Sequence, residues 1–162
     1  MDINKDIRNW VAEFVSKRNP DLNGFAPCPY AAKALSDDRV KIKVGSTPEI
    51  DALELQIEDF ISTDVIVFAY NPGMYNGSDF GNRCREINKQ LANRDIIVLD
   101  DHPSVIEKVG NVTMNNGKYA LMFTQPLSKL DAAARQLAKI GYYKGWPEEY
   151  LSELFEGRLD PR

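Results

Sequence analysis

The sequence is poor in the residues that usually carry metal and redox chemistry. Its 162 residues include one histidine, His102, and two cysteines, Cys28 and Cys84. One imidazole and two separated thiols lack the ligand spacing of a zinc site. No metal is expected, and an oxygen-rich site near Asp100 and Asp101 has no further support. With no secretory signal in view, the two cysteines read as reduced thiols. No segment approaches the apolar length needed to span a bilayer. The opening Met1-Asp2-Ile3-Asn4-Lys5-Asp6 lacks the apolar region of a signal peptide. The expectation is a cytoplasmic protein with no membrane segment. Positive charge is not in excess: 20 Lys and Arg stand against 24 Asp and Glu, for a net charge of −4. A broad electrostatic grip on nucleic acid is therefore not expected. No internal repeat or low-complexity tract is present. What remains is ordinary globular usage, 43% apolar and 27% charged, in a chain long enough for one domain with its own core.

Periodicity divides the chain into alternating helices and strands. Residues 3 to 18 place Ile3, Ile7, Trp10, Val11, Phe14 and Val15 on one helical stripe. Residues 20 to 27 read as a loop leading to a short helix from Pro29 to about Leu35. Arg39 to Val44 alternates charged and β-branched residues, the pattern of a half-buried strand near an edge. Thr47-Pro48 opens a helix whose apolar face is Ile50, Leu53, Ile57, Phe60 and Ile61. Asp64 to Tyr70 and Asp95 to Asp100 are continuous apolar runs, expected as central strands covered on both faces. A helix from about Asp79 to Asn93 lies between them, with Phe80, Cys84, Ile87 and Leu91 inward. Residues 104 to 117 suggest one or two helical turns and then turn signals. Lys118 to Thr124 is the fourth strand. Ser128 to Ile140 is a helix stopped by Gly141, and Pro147 to Phe155 is a last short one. The predicted class is α/β: a single domain, residues 1–156, with a mixed four-stranded sheet flanked by helices. A polar tail, residues 157–162, follows. Tyr142, Tyr143 and Trp146 are expected as an exposed aromatic segment.

The candidate chemistry centres on Cys28 and His102. Cys28 lies between Pro27 and Pro29 just before a helix, so it is a candidate N-cap whose thiol would be acidified by the helix start. The competing reading is a small apolar residue packed under a proline-rich loop. His102 follows an apolar strand in a polar turn. In open α/β sheets, sites collect beyond the carboxyl ends of the strands. There it would be placed as a general base, oriented by Asp100 or Asp101; the alternative is a surface-turn histidine. Asn111 and Asn115 belong to a polar stretch that offers an amide partner for a Cys–His pair. Asn116-Gly117 also reads simply as a turn. Arg83 and Lys118 are candidate holders of an anionic substrate group, with Tyr30 beside the thiol. Gly73, Gly77 and Gly81 form neither a dinucleotide nor a P-loop motif, so no cofactor is implied.

Two resemblances bear on these residues. Cys28-Pro29-Tyr30-Ala31 looks like the active-site turn of single-thiol relatives in the thioredoxin superfamily. That fold puts a strand directly before the cysteine, and residues 21 to 27 do not read as one. Trp10, Cys28-Pro29-Tyr30-Ala31, His102-Pro103 and the polar loop running from Asn111 to Leu121 together resemble the uncharacterised bacterial DUF1415 family. The likeness spans most of residues 7 to 135. It implies attention to Cys28 and His102 together but no mechanism. Where that family usually continues its His-Pro with an acid, this chain has Ser104.

The leading expectation is a thiol-dependent enzyme using Cys28 with His102 for acyl, amide or thiol transfer on a small-molecule substrate. The alternatives are a non-catalytic ligand- or protein-binding module, with the Tyr142–Trp146 segment meeting a protein partner, and a single-thiol redox protein.

Overall fold

The computed structural model describes residues 1–162. In chain order its elements are α1 (Ile3–Trp10), α2 (Ala31–Ser36), β1 (Val40–Val44), α3 (Pro48–Leu53), β2 (Val65–Tyr70), α4 (Gly77–Leu91), β3 (Ile96–Asp101), β4 (Lys108–Val109), β5 (Val112–Thr113), β6 (Ala120–Pro126), α5 (Leu127–Lys139) and α6 (Glu148–Leu154). Four strands form one sheet in the order β1-β2-β6-β3, and β4 pairs with β5 in a small hairpin. β1 runs parallel to β2, while β6 runs antiparallel to both β2 and β3. This is the mixed, helix-flanked sheet that the alternation of elements predicts.

The antiparallel β6 sits between β2 and β3, so β3 is an edge strand and not the central one its apolar run suggests. A helix covers it instead. Asn88 of α4 donates Nδ2–H to the Val98 carbonyl at 2.9 Å and accepts the Val98 N–H at 2.7 Å. The outward N–H and carbonyl of Val98, at the middle of β3, are thereby satisfied without a neighbouring strand.

The sheet separates two apolar layers. On one side Phe80, Cys84, Ile87 and Leu91 of α4 pack with Ile66, Phe68, Val98 and Met122. On the other, Ile7 and Val11 pack with Val67, Ala69 and Leu121. Cys84 is a core residue, as its stripe predicts. The first helix is α-helical only to Trp10 and continues as a π-helical turn over Val11–Val15. The helix expected to run to Ile61 breaks after Leu53. A capping box between Gln56 and Asp59 starts a separate 3-10 turn, Ile57–Phe60. Ile50 and Ile61 consequently face solvent, and Ala52, Leu55 and Phe60 supply the core contacts. Helical turns were expected from Ser104 onward, but the β4–β5 hairpin occupies that region; it turns at Gly110, whose φ of +57° suits glycine.

Tyr142 and Trp146 are buried, contrary to the expected exposed segment. With Leu22, Val109, Val112, Leu137, Leu151 and Phe155 they build a further core beneath the hairpin and α6. Each packs edge to face on a neighbouring ring, Tyr142 on Phe25 at 5.6 Å and Trp146 on Tyr150 at 5.4 Å. The polar tail is tied back too: Arg158, 3% exposed, pairs with Asp131 at 2.8 Å.

β1, β2 and β3 are mutually parallel, so their carboxyl ends share one edge of the sheet with the residues that lead into β6. The candidate chemistry lies along this edge.

Candidate functional site

His102 is the first residue beyond β3 and is buried against the Phe80 ring, with centroids 6.0 Å apart. Its Nε2 lies 3.2 Å from the carbonyl oxygen of Pro72, which follows β2. A carbonyl only accepts, so Nε2 carries the proton. Nδ1 is then the acceptor: it takes the Ser104 N–H at 3.1 Å and the Ser104 hydroxyl at 2.8 Å. The imidazole is thus held in one tautomer by a backbone carbonyl on one side and a serine on the other.

Ser104 is exposed, and it approaches the first residue of α4 closely. A Cβ on Gly77 would collide with Ser104 Oγ, lie 2.6 Å from Val105 Cγ2 and 3.1 Å from His102 Nδ1. Glycine at 77 is what admits the hydroxyl to the helix start. The helix is capped there by Asn76, whose Oδ1 accepts the Ser78 N–H at 3.0 Å. One turn on, a Cβ at Gly81 would lie 3.1 Å from Asp100 Oδ2. The two glycines, four residues apart, form a groove on α4 into which the end of β3 and its loop settle.

Asp101 does not orient His102. Its carboxylate accepts Asn115 Nδ2–H at 2.9 Å and the Asn116 N–H at 2.9 Å. Asn115 spends its other valences on the same loop, donating to the Val105 carbonyl at 2.7 Å and accepting the Glu107 N–H at 2.6 Å. Asn115 is therefore a positioning residue for the segment that carries Ser104. Burial raises the pKa values of Asp100 and Asp101, and it pushes Glu107 up to about 7, helped by the charges of Asp100 and Asp101. Asn111 sits exposed at the tip of the β4–β5 hairpin, away from these contacts.

Cys28 has other surroundings. It is half-buried, its backbone N–H bonds the Val15 carbonyl, and Tyr142 donates its hydroxyl to the neighbouring Pro27 carbonyl. α2 starts at Ala31 with Tyr30 as its cap residue, so Cys28 is not the N-cap. The amides of Tyr30 and Ala31 favour the thiolate, but desolvation outweighs them and holds the thiol above its ordinary 9.0. None of the contacts of Cys28 is shared with His102. No strand precedes the cysteine either; a 3-10 turn, Pro20–Leu22, does. Arg83 is engaged by Glu49, at 2.7 Å and 3.2 Å, and stacks over Tyr75. Lys118 pairs with Asp6. Tyr30 is exposed, away from the histidine's contacts.

Sequence reasoning located His102 and the strand-end edge but missed Ser104, Gly77 and the Pro72 carbonyl. A signal for the first two was present: Gly77 and Gly81 at helical i, i+4 spacing mark a close approach, and a serine stands two residues after the only histidine. The Pro72 carbonyl is a backbone group brought in from another strand, and no residue type advertises it. No family model matches the chain, and no curated protein or solved structure matches it either.

Proposed function

We propose that the protein is an acyl-transfer enzyme, hydrolysing esters or related acyl compounds, with Ser104 as nucleophile and His102 as general base. One observation carries the reading: Ser104 Oγ lies 2.8 Å from His102 Nδ1 while the opposite ring nitrogen is fixed on the Pro72 carbonyl. A nucleophile on a base that a third group orients is the arrangement covalent acyl transfer needs. Ser104 Oγ attacks the acyl carbon and passes its proton to Nδ1. The tetrahedral oxyanion collapses, and the leaving group departs with that proton. Water then attacks the acyl-serine by the same route, restoring the hydroxyl and the neutral imidazole. Nε2–H stays on Pro72 throughout. The start of α4 beside the hydroxyl supplies positive electrostatic potential near the developing oxyanion.

The Cys28 route has less support, since a desolvated thiol among tyrosines is a poor nucleophile at neutral pH. Binding of a protein partner through Tyr142 and Trp146 would need residues that are part of a core.

Hydrolysis of p-nitrophenyl acetate and butyrate tests the proposal. Ser104→Ala is expected to abolish turnover above background, and His102→Gln to lower kcat by about 10²–10⁴ with little change in KM. Circular dichroism of each variant confirms the fold. Parental turnover by a folded Ser104→Ala protein contradicts the assignment.

A further inference from the structure

A second feature lies on the same sheet edge and shares Pro72 with the Ser104 site. A cleft of about 460 Å³ opens at the carboxyl ends of β1 and β2, within the size range of small-molecule sites. Ile3, Val44, Ala69, Tyr70 and Tyr119 give it apolar walls. Lys118 is the one charged side chain lining it, Met1 brings the N-terminal amine, and no carboxylate lines it.

The walls are held by two carboxylates that lie behind them. Asp51 accepts the Tyr70 hydroxyl at 2.8 Å, the Ser46 N–H at 2.8 Å and the Ser46 hydroxyl at 3.0 Å. Gly45 makes the Tyr70 position possible, because a Cβ there would run into the ring. Asp6 accepts the Tyr119 hydroxyl at 2.6 Å and also bonds Lys118 Nζ. An ammonium has three donors, so Lys118 keeps two beyond the one given to Asp6. Asn71 uses its Oδ1 to accept the Gly73 N–H at 2.9 Å, and its Nδ2 has no partner in the protein. The cleft therefore offers apolar walls with unused donors and two cationic groups, the Lys118 ammonium and the Met1 amine, while the nearby acceptors are already engaged. Met1 and Met74 at the mouth are exposed and conformationally adaptable, suiting a flexible apolar body.

We propose that this cleft is a binding site for a small monocarboxylate with an apolar body, its carboxylate on Lys118 Nζ and Asn71 Nδ2 and its body over Ala69 and Tyr119. The ligand needs an acceptor head because the site presents donors, and a negative charge because its charged groups, Lys118 and the Met1 amine, are cations. One carboxylate suffices, because Asp6 already pairs with Lys118. The cleft borders the Ser104 site at Pro72, but its test reads binding alone and does not depend on the Ser104 reading.

Titration of the full chain with decanoate, decanol and decylamine, followed by calorimetry and by backbone amide shifts, tests it. Decanoate is expected to bind with shifts centred on Gly45, Ala69 and Asn71. Decanol should bind about tenfold more weakly or worse, reflecting the loss of a charge-assisted hydrogen bond, and decylamine should not bind. Lys118→Met should weaken decanoate by about tenfold and leave decanol unchanged, while Lys118→Arg restores most of the affinity. Absence of decanoate binding, equal affinity for decanoate and decanol, shifts elsewhere on the chain, or indifference to Lys118→Met would each overturn the proposal.

Discussion

At the scale of single residues, chemistry follows surroundings more than residue type. Cys28 carries the more intrinsically nucleophilic group, yet it sits desolvated beside Tyr142, and its pKa is raised. The rate of Cys28 alkylation by iodoacetamide is expected to keep climbing with pH through 9, with no plateau at or below it, and His102→Gln is expected to leave it unchanged. A plateau below pH 8 would show an activated thiol. Position 28 was legible as a cysteine beside a helix start. Its desolvation was not, because Tyr142 and Tyr143 reach it from more than a hundred residues away. Gly77 supplies a second residue-scale prediction. Gly77→Ala puts a methyl into Ser104 Oγ and Val105. Overpacking of this kind costs about 1–3 kcal/mol, set against the helix propensity that alanine adds. Thermal or urea unfolding should show that loss. Hydrolysis should fall with it, since the methyl pushes Ser104 off His102. Gly81→Ala, opposed by a single carboxylate oxygen at 3.1 Å, should be milder.

At the scale of elements, most strands and helices were legible because their apolar periods match their layers. β2 lies inside the sheet as its continuous apolar run predicts, and β1, with exposed Lys41 and Lys43, is an edge. β3 was misplaced for a physical reason: an edge strand covered by a helix is as apolar as a central one, and only Asn88 on α4 marks the difference. Asn88→Ala leaves the Val98 N–H and carbonyl without partners, which should cost about 1–3 kcal/mol in urea unfolding. A change below a few tenths would mean that water replaces the amide freely. Ser104 to Val109 suggests helical turns, with turn signals after it, because the two strands of the hairpin have only two residues each, too few to show a period of two. Its shape is imposed by Asn115, which ties Asp101, Val105 and Glu107 together. Asn115→Ala should loosen this loop and lower kcat, with the β2–β6 ladder still protected in hydrogen exchange.

At the scale of the molecule, the carboxylates beside the site shape the response to pH. Asp100, Asp101 and Glu107 all have raised pKa values, chiefly through burial. Between each ordinary value and its raised value the native state binds more protons than the unfolded chain, so stability falls as pH rises through that window. For Glu107 the window runs from 4.5 to about 7. Allowing for solvent screening of this partly exposed group, the effect is roughly 1–3 kcal/mol. Asp6 acts oppositely: Lys118 and Tyr119 lower its pKa, so its contribution is lost as pH falls below 3.8. Tm should therefore peak in mild acid and decline toward pH 7, and Glu107→Gln should flatten the decline. A Tm that rises from pH 5 to 7 would contradict this account. The same group of side chains unites β3, the hairpin and α6, where Tyr150 lies beside Glu107. Sequence periodicity cannot show such a junction, since it joins single residues from three elements.

The central claim is that Ser104 is a nucleophile made reactive by His102, and the most direct measurement is covalent capture. The protein is incubated with a fluorophosphonate ester at neutral pH, and the modified peptide is mapped by mass spectrometry. The account predicts one phosphonylated residue, Ser104, with labelling abolished in Ser104→Ala and slowed at least a hundredfold, on the order expected for loss of a general base, in His102→Gln. An unlabelled Ser104 in the folded parent, or labelling that His102→Gln leaves unchanged, would contradict it.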